Sequence, residues 1–336
     1  MAHVEDFAGL TAGMQFEVAM STTAGKCVLA KEGLAAGLDL IEESPLVSWP
    51  TPAAAVGERP NAFHEGAFKW KGGGLADEAS TATFCDACLC VFSRDSPHVR
   101  CEDASCGARF CCGECATGSL HQALCGCFAS LRRWQAETAI DSTFGVEAIA
   151  RVNAGIGERI VTLMSSHGLT PVEALLNALR PWERICAFPD GCDLALMEGA
   201  PVEEAAAVLR VQTTRNLTAL LATGMRAEAA GAAEAIALEL TSVPHVTGLM
   251  QRILLNSFQW GHPTDRALRF GGVFMMLSNM NHSCAPNAEI CTEWTRAVEG
   301  AVEGAVEEGA VEEGAVDQAA VEEAAVEEAA VEEAAV

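Results

Sequence analysis

The residues best equipped for chemistry are cysteines, of which the 336-residue chain has fifteen. Most of them lie in FCDACLCVFSRDSPHVRCEDASCGARFCCGECATGSLHQALCG, from Phe84 to Gly126. Eight candidate ligands in this stretch fall into four pairs: Cys85 and Cys88, Cys101 and Cys106, Cys111 and Cys115, then His121 and Cys125. Because a closed tetrahedral zinc site takes four thiolate or imidazole ligands, the series predicts two zinc ions.

The spacing inside the pairs suits metal coordination. A Cys-x2-Cys turn can direct both thiolates at one ion, and the gap from His121 to Cys125 places both side chains on one helix face. We favour Cys111 over Cys112 as a ligand because its gap to Cys115 suits one helical turn. Three neighbouring cysteines could still replace a ligand: Cys90, Cys112 and Cys127.

The net charge of −25 is divided between a body and a tail. Thirteen acidic residues and no basic residue lie from Glu299 onward, which leaves about −12 for the rest. An acidic body repels phosphate backbones and anionic membranes, so a primary role in binding nucleic acid or membranes is disfavoured.

The N-terminal sequence MAHVEDFAGLTAG has neither the basic start nor the long apolar core of a secretory signal. No run of eighteen apolar residues indicates a membrane span. We therefore expect an intracellular protein, in the cytoplasm, the nucleus or both. In a reducing compartment, clustered thiols are more often metal ligands than disulfides.

The elements that must position these residues change along the chain. Short apolar runs separated by glycines before residue 50 predict strands and tight turns. After the cysteines the pattern is helical: Thr170, Pro171 and Glu173 form a helix start with a capping box. Ala-rich stretches at 202–222 and 225–240 and an apolar stripe at 246–253 predict further helices.

The cysteine series resembles the MYND zinc finger, in which an aromatic residue precedes the fifth ligand, as Phe110 does here. The resemblance implies interleaved pairs, so that the first and third pairs bind one zinc ion and the second and fourth pairs bind the other. It also implies a finger that folds on zinc and binds protein or peptide partners.

A second motif, the heptapeptide NHSCAPN at 281–287, follows an apolar segment. It resembles the SET domain of protein-lysine methyltransferases. Together the two motifs resemble the SMYD-type family, in which a finger and a helical insert split the SET domain. The implied α+β organisation has five parts. Residues 15–50 are an N-terminal SET segment, residues 84–126 a MYND-type finger and residues 130–245 a mainly helical insert. Residues 246–296 are a SET core segment, and residues 297–336 are a disordered acidic Ala/Val/Glu/Gly repeat tail.

The resemblance also implies S-adenosylmethionine as methyl donor. Carried over to this sequence, the donor pocket comprises five residues: Gly25, Lys26, Asn256, Asn281 and His282. The hairpin departs from the family pattern, because Cys27 stands where a second glycine is usual.

The family's catalytic tyrosine lies beyond the heptapeptide, whereas this chain has no tyrosine and its repeat begins soon after Trp294. Three interpretations stay open. The chain is a methyltransferase acting on protein lysines, a zinc-dependent interaction module without catalysis, or the product of a gene model in which a frame error hides the rest of the SET domain.

The five-residue spacing of the tail valines gives no helical stripe, so we expect a solvated tail.

Overall fold

Helices and strands are mixed in the computed structural model of this chain. The structure describes residues 11–21, 25–35, 38, 40–51, 82–93, 95–138, 146–185, 202–226, 230–261 and 268–279. The chain divides after Cys291 into two units, and all of these residues belong to the first. The repeat tail, Asn281 and His282 lie outside the described residues.

The described strands pair antiparallel throughout. They are β1 (Phe16–Ser21), β2 (Gly25–Ala30), β3 (Val47–Thr51), β4 (Ala82–Phe84), β5 (Val91–Ser93), β6 (Val99–Arg100), β7 (Arg109–Phe110), β8 (Ser257–Gly261) and β9 (Arg269–Val273). The pairs β1–β2, β4–β5 and β6–β7 are two-stranded, whereas β3, β9 and β8 form a three-stranded sheet in that order. The N-terminal hairpin and the two finger hairpins are therefore local in sequence, and the three-stranded sheet is not.

The three-stranded sheet joins segments on either side of the finger, with Val47 opposite Val273 at one end of the ladder. Two glycines of β9 allow aromatic rings to lie directly on the sheet. A Cβ atom at Gly271 would come within 2.6 Å of the Trp49 ring, and one at Gly272 within 2.7 Å of the Trp260 ring. Larger residues at either position would displace an indole that packs on the sheet.

The described helices are α1 (Gly113–Thr117), α2 (Ser119–Leu124), α3 (Phe128–Thr138), α4 (Val146–His167), α5 (Pro171–Arg184), α6 (Val202–Thr223), α7 (Ala230–Leu240) and α8 (Val243–Asn256). The capping box predicted at Thr170 and Glu173 is confirmed at the start of α5. The helices predicted at 202–222, 225–240 and 246–253 correspond to α6, α7 and α8. Local sequence signals therefore specify most of the helical region.

The first half of α4 is buried on nearly every side and forms the centre of the helical region. It packs against α2, α5, α6 and β3. One continuous cluster of buried side chains extends from β3 through the cysteine-rich finger into the helices. The finger is thus part of the main core. No helix in the described ranges is both long and apolar enough to cross a membrane.

Candidate metal centres

The structure brings the eight predicted ligands together in two groups of four. The first cluster comprises Cys85, Cys88, Cys111 and Cys115, and the second comprises Cys101, Cys106, His121 and Cys125. Within each cluster the four ligand atoms lie within 4.8 Å of one another. The first and third pairs meet in one cluster and the second and fourth pairs in the other. This is the interleaved grouping that the MYND resemblance implies.

The closest contacts between ligand atoms fit tetrahedral zinc. In the first cluster, Cys111 Sγ lies 3.6 Å from Cys88 Sγ and 3.7 Å from Cys115 Sγ. In the second, the Sγ atoms of Cys101 and Cys125 are 3.6 Å apart. Sulfur atoms bound at about 2.3 Å to one tetrahedral ion lie about 3.8 Å apart. Each cluster can therefore close around a zinc ion with little movement of its side chains.

Tight turns create these clusters. The first pair occupies the turn between β4 and β5, in which the Leu89 N–H donates to the Cys85 carbonyl over 2.9 Å. Leu89 has a φ of 62°, and Gly107, directly after Cys106, has a φ of 64°. Both values lie in the left-handed region, which a leucine adopts only at some cost in energy. The contacts around the turn therefore hold Leu89 in a backbone conformation that its side chain disfavours.

The first cluster stabilises a thiolate at Cys85. The pKa of Cys85 is lowered to about 5, chiefly by a hydrogen bond from the Cys88 thiol. Burial opposes this shift, and the N–H groups of Cys111, Cys88 and Ala87 add to it. The same contact with Cys85, together with burial, raises the pKa of Cys88. Protons are therefore shared among these thiols, and a divalent cation would take their place when it binds.

His121 is oriented as a metal ligand by a hydrogen bond from its other ring nitrogen. Nδ1 lies within hydrogen-bond distance of the Ala116 carbonyl oxygen, which can only accept, so Nδ1 carries the proton. Nε2 then presents a lone pair and lies 3.5 Å from Cys106 Sγ. The Phe110 ring packs against the imidazole with the ring centroids 4.4 Å apart. Such support from a carbonyl is usual for zinc-bound histidine.

The three cysteines left open by the sequence lie beside the clusters and belong to neither. Cys127 is buried and its thiol donates to the Gln212 carbonyl over 2.9 Å. Burial and the neighbouring Cys106 raise the pKa of Cys127 to about 11, which favours a neutral structural thiol. Cys112 Sγ lies 3.8 Å from Cys111 Sγ, and Cys90 Sγ contacts the Val91 carbonyl.

A buried ionic network holds the first cluster. Arg132 Nη2 lies 2.7 Å from Asp86 Oδ1, and its Nε lies 2.7 Å from Glu147 Oε2. Arg151 Nη2 lies 3.0 Å from Glu147 Oε1. The side chains of Glu147 and Arg151 are only 3% and 2% exposed, so this pair is neutralised away from water, whereas the Arg132 side chain is 33% exposed. Burial raises the pKa of Glu147, but Arg132 and Arg151 outweigh this effect and lower it below the usual value.

Neutral groups hold the second cluster against α6. Asn216 Nδ2 donates to the Cys125 carbonyl over 2.8 Å, and the Cys127 thiol donates to the Gln212 carbonyl. Ser130 Oγ donates to the Gln212 side-chain oxygen over 2.9 Å. These contacts involve uncharged partners, in contrast to the ionic network at the first cluster.

The predicted methyl-donor residues are only partly within the described ranges. Gly25 and Lys26 begin β2, opposite Ser21 and Met20. Asn256 is buried at the end of α8, where its Nδ2 donates to the Arg252 carbonyl over 2.6 Å. Contacts of these residues with Asn281 or His282 are outside the described part of the chain.

Several residues that support these regions were missed by sequence reasoning. The carboxylate of Glu43 accepts hydrogen bonds from the backbone N–H groups of Met275, Met276 and Leu277, at 2.6 to 3.1 Å. It thereby fixes the turn that precedes the heptapeptide. The others, which support the metal clusters, are Asp86, Arg132, Glu147, Arg151 and Asn216. No local spacing marks them, because each acts on a residue far away in sequence.

Comparison with known protein families finds no matching family model, and comparison with curated proteins finds no match.

Proposed function

We propose that this protein is a zinc-dependent interaction protein of the SET/MYND type, whose finger binds two structural zinc ions. The observation that carries this proposal is the convergence of eight ligands in two closed groups of four. A catalytic zinc site keeps a coordination position open for water or substrate, whereas each of these clusters supplies four protein ligands. Zinc here would stabilise the fold and contribute no hydrolytic chemistry.

Protein or peptide segments are the proposed partners. A cleft of about 220 Å³ adjoins the finger, and its walls include Ala87 and Leu120 of the finger and Pro45 and Leu46 before β3. Its volume suits one or two apolar side chains of a peptide and is small for a complete cofactor. Zinc would act at a distance, by holding the turn that carries Ala87.

The interaction role can be tested with a library of proline-containing peptides immobilised on a surface. The zinc-loaded chain should retain particular peptides, and Cys85→Ser and Cys101→Ser should each weaken that retention. Cys27→Ser, which changes a buried cysteine outside both clusters, is the matched control. Retention that is equal in all four proteins would contradict a zinc-dependent interaction role.

The second candidate function is transfer of a methyl group from S-adenosylmethionine to a protein lysine. Two observations favour it: β3 pairs with β9 across the finger and insert, as a split SET domain requires, and Glu43 fixes the turn before the heptapeptide. Bound S-adenosylmethionine would supply the activated methyl group, with Asn281, His282 and Asn256 as its proposed contacts.

Calorimetry with S-adenosylmethionine tests this second candidate. Saturable binding that is lost in Asn281→Ala and kept in Asn177→Ala, which alters an asparagine on α5, would support a donor pocket. Transfer of a labelled methyl group to lysines of a protein mixture would then establish the activity. An absence of heat at high ligand concentration would leave the interaction role alone.

A further inference from the structure

The turn between Cys85 and Cys88 is held from the side opposite the thiolates. Arg151 Nη2 donates to the Asp86 carbonyl over 2.6 Å, and Arg151 Nη1 donates to the Ala87 carbonyl over 3.2 Å. In a trans peptide group, the carbonyl and the following N–H point in opposite directions. The N–H groups of Ala87 and Cys88 therefore point away from Arg151, so that Arg151 fixes the orientation of both peptide groups.

Asp86 joins the same turn to the next part of the cluster. Its backbone N–H donates to the Arg109 carbonyl over 2.8 Å, and its Oδ2 accepts from the Arg109 N–H over 2.8 Å. Arg109 lies two residues before Cys111, at the start of β7. These two bonds fix the first pair of ligands relative to the third pair.

The side chains of Asp86 and Arg151 are themselves held in place by several partners. Asp86 Oδ1 accepts from Arg132, and Arg151 Nε donates to Glu147 over 3.0 Å. The guanidinium carbons of Arg132 and Arg151 also lie 5.4 and 5.5 Å from the Phe128 ring centroid. Burial and several simultaneous partners leave each side chain one arrangement, which is what preorganises a metal site.

We infer that Asp86 and Arg151 are positioning residues of the first metal cluster. Arg151 fixes the Asp86–Ala87 and Ala87–Cys88 peptide groups of the turn, and Asp86 holds this turn in register with Cys111. These roles rest on the zinc-binding function proposed above. The affinity of this cluster for a thiophilic divalent cation then depends on charged side chains of α3 and α4, whereas the second cluster is held by neutral groups.

Cobalt titration of the full chain in competition with a chelator tests the inference, because sites with four sulfur ligands and sites with three sulfurs and one nitrogen absorb differently. Arg151→Lys keeps the charge but cannot reach both carbonyls and Glu147 together. It should weaken cobalt binding at the first cluster by roughly 10- to 100-fold and leave the second cluster as an internal reference. The sulfur-to-cobalt absorption band of the first cluster should also shift, because the turn that carries Cys85 and Cys88 loses the contacts that hold its peptide groups.

Matched controls are available on the same elements. Arg159→Lys changes an exposed arginine of α4 and should leave both affinities unchanged. Asp86→Asn should weaken the first cluster as Arg151→Lys does, because the single amide oxygen can accept from Arg109 or from Arg132 but not from both. Asp103→Asn makes the same change in the turn between Cys101 and Cys106, where the carboxylate binds Ser105 locally, and should have little effect.

Circular dichroism of the metal-loaded proteins identifies any variant that does not fold, and if Asp86→Asn fails, Arg151→Lys decides the result. First-cluster affinities within twofold of wild type in a folded Arg151→Lys chain would overturn the positioning roles. Equal weakening of both clusters would also overturn them, because it indicates general destabilisation. A wild-type chain that takes up no cobalt would overturn the zinc-binding function itself.

Discussion

The two metal clusters share their ligand chemistry but are attached to the helices by opposite means. The first is held by an ionic network of two acids and two arginines, and the second by an amide of α6, a hydroxyl of α3 and the Cys127 thiol. Loss of one member of a buried ionic network leaves an uncompensated charge, whereas loss of a neutral hydrogen bond leaves one unsatisfied polar group. A mutation in the ionic network, the ionic anchor of the first cluster, should therefore destabilise the protein more than a mutation in the neutral anchor of the second cluster.

The largest effect is expected from Glu147→Gln, which leaves Arg132 and Arg151 with the single carboxylate of Asp86. Removing one partner from a buried ionic network destabilises by about 3–5 kcal/mol. Urea unfolding of the zinc-loaded chain measures this loss. Glu158→Gln, on the exposed side of the same helix, should change stability by less than about 0.5 kcal/mol. Similar losses in the two variants would contradict the importance of the ionic anchor.

A smaller effect is expected from Asn216→Ala, which removes the neutral anchor of Cys125. The loss should be roughly 1–2 kcal/mol, because the Cys125 carbonyl loses one hydrogen bond from an uncharged donor. Asn177→Ala is the matched control, since the Asn177 amide binds a carbonyl within its own helix. A loss as large as that of Glu147→Gln would remove the distinction between the two anchors.

The smallest effect concerns acid stability away from both clusters. Burial, together with the charge of Arg252, lowers the pKa of His245 to about 4, and its Nε2 lies 3.0 Å from Asn153 Oδ1. A histidine in the unfolded chain has a pKa of about 6.5, so the unfolded state binds more protons between these values. The contribution of His245 to stability is complete above about pH 6.5 and is lost as the pH falls toward 4.

Unfolding of wild type and His245→Gln at several pH values measures this contribution. Between pH 7 and pH 5 the wild type should lose roughly 1 kcal/mol more than the variant, allowing for partial exposure of the ring. All samples contain the same concentration of free zinc, so that protonation of the metal ligands affects both chains equally. Identical pH profiles would contradict the contribution of His245 to acid sensitivity.

The sequence predicts which residues form the two clusters, because they occur at short, characteristic spacings. The start of α5 is equally local, since Thr170 and Glu173 satisfy each other across one turn. The supports of the clusters have no such signal. Asp86 meets Arg132 across 46 residues, and Asn216 meets Cys125 across 91. Ordinary acidic, basic and amide side chains acquire these roles only when the helices pack, which no spacing in the sequence specifies.

The strand pairing of the three-stranded sheet likewise has no local signal in the sequence. Neither the apolar run at β3 nor the two glycines of β9 identifies the other as its partner, and the Trp49 ring fits on Gly271 only after the strands meet. The order of the segments that the resemblance implies stays a prediction. The pocket residues at 281–282 and the tail stay predictions.

The most direct test of the central claim is the zinc content of the purified full chain, measured by elemental analysis for wild type, Cys85→Ser and Cys101→Ser. Two independent closed clusters predict about two zinc ions per chain in the wild type and about one in each variant. A wild-type value near zero, or two zinc ions retained in either variant, would contradict the assignment of these eight residues to two metal sites.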